Sequence, residues 1–369
     1  MTKGSLLKII TDRAEYPLLN PIKGLLYLLS LVNYLIQQTR IPLYHNSLLR
    51  IKTLGCKVIS IGNITMGGTG KTPTVKMIAN MLKNKEFKVA VLSRGYKGRS
   101  KERINLVSDG DKILLRPPYI GEEAYMLAKG LKGIPILTGK DRYLIGRYAE
   151  DRFRIDVAIL DDGYQHIRLH RNLNILLIDT TNPFGNNLLF PRGILREPLS
   201  NMDRADIVLM TRCHNNNTKD RDLSNIGERL KRDIPIFRSR DVAIRCIDLN
   251  SCEERDIGML RDKKILAFCG IGSPQSFRDI IMKVGGNIVR FLTYPDHHRY
   301  SDSDIRDIKE MGRDVEIILT TEKDGSALLD HLPLSFPLWG LKIDMEIIEK
   351  RDEWEKMIVE FIRRTPHER

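Results

Sequence analysis

An α/β fold is predicted, a doubly wound parallel sheet of the P-loop NTPase type followed by a second, smaller α/β unit. Three observations carry this expectation. From Lys57 onward, short β-rich runs alternate with helical patterns, as a sheet covered by helices on both faces requires. The first run leads into the glycine-rich string Gly67-Gly68-Thr69-Gly70-Lys71-Thr72 and then into an amphipathic helix. A polar stretch, Asn215 to Asp222, and a charged one, Glu253 to Lys264, break the alternation, which then resumes.

In chain order, the apolar stretch Gly24 to Ile36 comes first, flanked by Lys3, Lys8, Arg13, Lys23, Arg40 and Arg50. Thirteen residues fall short of the roughly 20 that a membrane-crossing helix needs. No small-x-small cleavage site follows to make it a signal peptide. Two readings stay open: a helix lying in a membrane interface, its cations on lipid phosphates, or a core helix. Strands are expected at Val58 to Ile61, Val89 to Leu92, Val157 to Leu160, Ile175 to Ile178 and Ile207 to Met210, and later at Ile265 to Phe268, Ile288 to Leu292 and Ile317 to Thr320. Val75, Ile78, Ala79 and Leu82 share one face of the helix after the first strand. The expected division is 1–50 as a membrane-interface segment, 51–240 as the P-loop domain and 241–369 as the smaller unit.

Composition narrows the partners. The 369 residues carry 60 Lys and Arg against 47 Asp and Glu, a net charge of +13, which favours phosphate-bearing or otherwise anionic partners. Aromatic residues are only 7% and no nucleic-acid-binding signature interleaves them with the cations, so no nucleic acid partner is expected. The five cysteines are scattered and never form a C-x-x-C pair, the pattern of reduced thiols in a cytoplasmic protein.

The glycine loop carries the strongest chemical signal. Gly67, Gly68, Thr69 and Gly70 let successive backbone N–H groups turn toward phosphate oxygens, and the helix that follows adds its positive end. Lys71 is placed to reach the β and γ phosphates of a nucleotide and the Thr72 hydroxyl to hold Mg²⁺. Pro73 suits the first helical turn. The strict pattern wants glycine at position 65, where this chain has Thr65. Asp161 and Asp162 end a buried run, where a doubly wound fold places ligand chemistry, although Asp-Asp-Gly is also an ordinary turn. His166 and His170 stand at metal-ligand spacing, but no glutamate base lies between them.

The string from Gly62 to Pro73 resembles the loop of the tetraacyldisaccharide 4'-kinase family, which also lacks that first glycine. Further pieces follow in the family's order: Leu92-Ser93-Arg94-Gly95-Tyr96, Gly139-Lys140-Asp141-Arg142, Asp161 to His166, Pro191-Arg192-Gly193, Leu195-Arg196-Glu197-Pro198, Pro295-Asp296-His297-His298 and Thr321-Glu322-Lys323-Asp324. The resemblance implies transfer of the γ-phosphate of ATP, with Mg²⁺, to the 4'-hydroxyl of a tetraacylated glucosamine disaccharide 1-phosphate. It further implies an anionic glycolipid substrate and peripheral attachment to the cytoplasmic face of the inner membrane.

For individual residues, the resemblance implies that Asp161 and Asp162 hold Mg²⁺ or orient groups around it, and that Arg94, Arg142 and Arg196 handle phosphates or steady the transition state. Tyr96 and Glu197 would meet substrate, while His166 would support the site by hydrogen bonds. The family typically has Gly-Asp-Glu where this chain has Gly121-Glu122-Glu123. Glu122, oriented by His297, is therefore expected to be the base that accepts the sugar hydroxyl proton, with Glu123 nearer the metal. His298 takes the orienting role if the pair is read in the other register. A bland alternative is that Glu122 only complements a helix dipole. Thr321 to Asp324 reads as a structural turn, and Gly270-Ile271-Gly272-Ser273-Pro274 looks like a weak anion nest. Two rival functions remain: a GTPase-like switch, which would bind guanine nucleotide and turn it over without lipid, and a nucleic-acid-stimulated ATPase.

Overall fold

The computed structural model describes residues 21–213, 226–230, 232–296 and 298–364. The polar stretch Asn215 to Asp222 and the expected orienting residue His297 lie outside them.

Helix α1 (Pro21–His45) precedes the sheet. Then come β1 (Lys57–Gly62), α2 (Lys71–Asn84), β2 (Val89–Ser93), β3 (Asn105–Ser108), α3 (Glu122–Gly130), β4 (Ile136–Thr138), α4 (Arg142–Phe153), β5 (Val157–Asp161), β6 (Leu173–Asp179), β7 (Ile207–Thr211) and β8 (Ile236–Asp248). The chain continues through β9 (Glu254–Asp256), β10 (Lys264–Cys269), α5 (Pro274–Lys283), β11 (Asn287–Thr293), α6 (Asp302–Met311), β12 (Ile317–Thr321), α7 (Glu322–Ala327), β13 (Trp339–Ile347) and α8 (Arg351–Arg363). The strands form one sheet in the order β11-β10-β12-β13-β8-β7-β6-β1-β5-β2-β4-β3, with β9 pairing β8. Each of the eight expected strands is present, extended by one to three residues.

Around the glycine loop the sheet is parallel: β1 lies between β5 and β6, with β2 beyond β5 and β7 beyond β6. The C-terminal tips of these strands therefore share one edge, where ligands bind in such sheets. Period-two alternation along β1 sends Val58 to one face, with Leu92, Ile145, Ala149 and Leu160, and sends Ile59 and Ile61 to the other. The second face receives Val75, Ile78, Ala79 and Leu82 of α2, the stripe expected from their spacing.

The expected boundary at 240/241 falls inside β8. This strand pairs in parallel with β7 at its start and antiparallel with β13 from Ser239 to Asp248. Sequence order puts α8 in the second unit, yet Trp354 and Ile358 pack in the same core as Ile59 and Val75, and the Trp354 ring meets Phe237 edge-on at 5.1 Å. The chain thus returns at its end to brace the first unit. Met345 of β13 also reaches the loop: a Cβ on Gly70 would stand 2.9 Å from its methyl carbon.

Among the described residues no helix is long and apolar enough to cross a membrane. The core-helix reading of the N-terminal segment does not hold, because α1 leaves its apolar side chains outside: Leu28 is 61% exposed, Val32 54% and Leu35 62%. It is tied down by polar contacts, Asn33 Nδ2 donating to the Phe190 carbonyl at 2.9 Å and an Arg40 guanidinium nitrogen donating to the Gln165 carbonyl at 3.0 Å.

Candidate functional site

The glycine loop joins β1 to α2, and two of its glycines hold conformations that side chains resist, Gly67 at φ 110° and Gly70 at φ 84°. Lys71 is the first residue of α2. Its Nζ lies 3.4 Å from Asn63 Oδ1 and 3.6 Å from Asp162 Oδ1, so the lysine is held over the loop by a residue on each side. Asn63 is held in turn: its amide donates to the Thr65 carbonyl at 2.9 Å, and its own carbonyl accepts from Gln165 Nε2 at 2.8 Å. Gly62 lets the Asp161–Tyr164 turn cross the tip of β1, since a Cβ there would fall 2.8 Å from Tyr164.

Asp161 and Asp162 diverge although they are adjacent. Asp161 is buried at the tip of β5 and accepts from the Ser93 hydroxyl at 3.0 Å. Burial, with the negative charges of Glu123 and Asp162 adding to it, pushes its carboxyl up to about 6. Asp162 has a left-handed backbone, φ 52°, that turns its side chain toward the cations. Burial opposes its charge, but Lys71 and Arg196 outweigh burial and hold its carboxyl below the usual range. Arg196 donates through one nitrogen to both Asp162 oxygens at 3.0 Å.

The raised Asp161 carboxyl has a measurable consequence. Because its folded pKa lies above the unfolded value, the stability it contributes is present at low pH and is lost as pH rises through about 6. Above that point the nucleotide-free protein carries a buried, repelled carboxylate costing on the order of 2–3 kcal/mol. Asp161→Asn is therefore expected to raise the melting temperature by several degrees at pH 8, by roughly half as much at pH 5 and by little below about pH 4, as thermal denaturation across that range would read out.

Arg142, expected at a phosphate, is buried at the start of α4 and donates to the Gly139 carbonyl at 3.0 Å. Burial brings its guanidinium down to about 10; Asp161 pulls the other way and Arg94 reinforces the fall. His166 is lowered to about 4 by burial and then by Arg142, so it is neutral at physiological pH. Glu122 and Glu123 open α3, preceded by Gly121, which packs so closely on the loop after β2 that a Cβ would fall 2.0 Å from the Tyr96 carbonyl oxygen. Glu123 is close enough to Asp161 to raise it, while Arg94 and Tyr96 stand exposed at the rim.

Two expectations need correction. Glu197 is 0% exposed; it pairs with Arg204 and accepts from Asn201 at 2.8 Å, so it braces the polypeptide rather than meeting substrate. Arg204 also lies over the Tyr164 ring, 4.6 Å from its centroid, which fastens this brace to the Asp-Asp-Gly turn. His298, the alternative orienting residue, is committed elsewhere: its Nε2 lies 3.1 Å from Asp304 Oδ2, and its ring stacks on Tyr294 at 4.7 Å.

The second half of the chain closes on the loop. A Cβ on Gly272 would lie 3.3 Å from the Gly68 nitrogen, and Lys76 of α2 reaches Glu322 at 3.5 Å. Thr321 to Asp324 is the structural turn expected, with Thr321 capping α7. Its buried Asp324 accepts from Gly270 N and the Tyr300 hydroxyl, both at 2.9 Å, and Lys323 reaches Asp296 at 2.6 Å. The sequence reading passed over Ser93, Gln165 and the pair Asp179–Arg212, whose guanidinium lies 3.9 Å from where a Cβ on Gly68 would stand. Asp179 had a signal, since it ends a buried run just as Asp161 does.

A parallel sheet with a glycine loop at its edge, a lysine over that loop and acidic groups at the neighbouring strand tip define a P-loop NTPase-like protein. The family described as Tetraacyldisaccharide-1-P 4'-kinase matches residues 22–363. The chain is 41% identical over 361 residues to the tetraacyldisaccharide 4'-kinase of Syntrophus aciditrophicus, covering 95% of each, and 40% identical to that of Pelobacter propionicus, covering 84% of this chain and 85% of the relative. The crystal structure of LpxK from Aquifex aeolicus in complex with ATP superposes with a TM-score of 0.71 at 31% identity, covering 90% of this chain and 97% of the other. The chain belongs to the tetraacyldisaccharide 4'-kinase family.

Proposed function

We propose that the chain transfers the γ-phosphoryl group of MgATP to the 4'-hydroxyl of a tetraacylated glucosamine disaccharide 1-phosphate, the reaction for which its family is named. The observation that carries this reading is the set of contacts joining Lys71 of the glycine loop to Asp162, and Asp162 to Arg196. Two cations gathered around one carboxylate beside the glycine loop suit the terminal phosphate of a nucleotide. Phosphoryl transfer is mostly positioning and charge stabilisation, and such an array supplies both.

In this reading Gly67, Gly68, Thr69 and Gly70 cradle the nucleotide phosphates while Lys71 and Arg196 neutralise charge that develops on the transferred group. Arg142, buried beside Asp161 and Asp162, fixes their orientation. Glu122 takes the proton from the acceptor hydroxyl. Thr72, Asp161 and Glu123 are suited to Mg²⁺, because two mutually repelling carboxylates and a hydroxyl make the partial oxygen set that this ion completes with phosphate oxygens and water. When bound, Mg²⁺ supplies charge neutralisation between the phosphates. Among the described residues no three His, Cys, Asp or Glu side chains converge as a self-sufficient metal cage.

Helix α1 supports attachment to the cytoplasmic face of the inner membrane. Its exposed leucines lie on an element tied to Gln165 of the site, so an acyl-chain anchor and the acceptor sugar would be brought to the same side. Replacing Leu28, Val32 and Leu35 with serine is expected to lower affinity for phosphatidylglycerol vesicles by at least about a hundredfold, since each buried side chain contributes roughly 1.5–3 kcal/mol. Melting temperature should stay within about 2 °C, because surface substitutions of this kind shift stability little. Vesicle co-sedimentation and thermal denaturation check both.

The sugar headgroup would enter between the glycine loop and the Gly270–Ser273 turn, which comes close to Gly68. Incubation with γ-labelled ATP or GTP, with and without a monophosphorylated lipid acceptor, tests it. Label should reach lipid from ATP; hydrolysis of GTP without transfer would favour a switch instead.

A further inference from the structure

Resting on the kinase reading, we infer that the cavity flanking Glu122 and Arg142 is a second phosphate site, which holds the phosphate monoester that the acceptor already carries. The cavity has a volume of about 460 Å³ and is lined in part by Arg94, Lys101, Arg103 and Lys140, with Tyr119 as a hydroxyl donor. None of these cations has an ion-pair partner among the described residues. Elsewhere on the surface, Lys85, Arg147, Lys263 and Arg290 each close onto a neighbouring carboxylate. Of the two acids at the cavity, Asp141 is occupied: it caps α4 by accepting from the Tyr143 and Leu144 nitrogens and pairs with Lys52 at 3.6 Å. That leaves Glu102 against four cations, a balance that stabilises a bound dianion.

Placement distinguishes this site from that of the nucleotide. No residue of the glycine loop lines the cavity, so the phosphates of ATP are handled elsewhere. Its wall includes Ile120, which leads directly through Gly121 into Glu122, and Gly139, whose carbonyl accepts from Arg142. Gly121 locks that wall against the Tyr96 carbonyl. A phosphate in the cavity would thus be fixed relative to Glu122 by two tightly packed backbone segments. A disaccharide that offers a hydroxyl on one ring and a phosphate on the other could be measured at both ends.

The test compares two acceptors, the monophosphorylated lipid and the same lipid with its phosphate removed. The double variant Lys101→Gln/Lys140→Gln changes exposed side chains that no step of the transfer uses. It is expected to raise KM for the monophosphorylated acceptor by about tenfold or more while kcat and the KM for ATP stay within about twofold. With the dephosphorylated acceptor, variant and parent should have the same KM. An equal rise with both acceptors, or no rise with either, overturns the inference. A rise in KM for ATP alone would assign the cavity to nucleotide phosphates and overturn it as well. Failure of the parent enzyme to label the monophosphorylated lipid would instead sink the kinase reading, an outcome distinct from all of these.

Discussion

Lys71→Ala is expected to lower kcat by about 10³-fold or more, as removal of a charge clamp on a transferring phosphoryl group does. Lys71 sits at the first position of α2, where it touches Asn63 and Asp162 but joins none of the hydrophobic clusters. Its loss should leave the fold in place. It also removes one of the three cations that keep the Asp162 carboxyl low, Lys71, Arg196 and Arg142, so Asp162 should titrate closer to the ordinary range in the variant. Steady-state kinetics and a thermal melt on one preparation check the claim. A variant that keeps more than about a tenth of the parent rate would show that the lysine does not stabilise the transition state.

Replacing Glu122 by Gln should cost at least about 10²-fold in kcat, because Gln keeps the size of the side chain while removing its basicity. Glu122→Asp should retain clearly more activity. Gly121 fixes the backbone from which residue 122 projects, so the shorter aspartate would still start from the same place. A shortfall of about 1 Å in reach can cost on the order of a hundredfold in a reaction that needs near in-line placement, and this bounds how much Asp can rescue. Equal and small losses from both substitutions would assign Glu122 to the dipole of α3 and leave the proton to another group.

Much of this architecture could be read from hydrophobic runs. Seven of the eight runs became strands buried on both faces, which are apolar throughout, and the eighth, β11, became a half-covered edge strand. The runs did not show the short strands β3, β4 and β9, nor β8 and β13, the antiparallel pair that joins the two parts of the sheet. In β8, Arg238, Arg240 and Arg245 alternate with buried residues, and only part of the strand is covered, so its sequence resembles a polar linker. Pairing with β13 over nine residues makes it a strand. The bracing role of α8 was equally hidden, since nothing in its amphipathic pattern says which core it will join.

The site was legible to the extent that its residues stand in motifs. Lys71, Asp162 and Arg196, successively 91 and 34 positions apart, were each singled out and do meet. Glu197 shows the limit. It follows Arg196 in the same motif, but the chain bends at these two residues and sends Arg196 to Asp162 and Glu197 to Arg204. His298 misled for a related reason: a pair of adjacent histidines does not reveal which of them Asp304 will hold.

The most direct measurement is the fate of the γ-phosphoryl group. Phosphorus NMR and mass spectrometry of the products of ATP and a tetraacylated glucosamine disaccharide 1-phosphate should show a second phosphate monoester on the 4'-oxygen. The original phosphate should be intact, and one ADP should form for each lipid modified. ATP consumption without acceptor, or label found only as inorganic phosphate, would contradict the account.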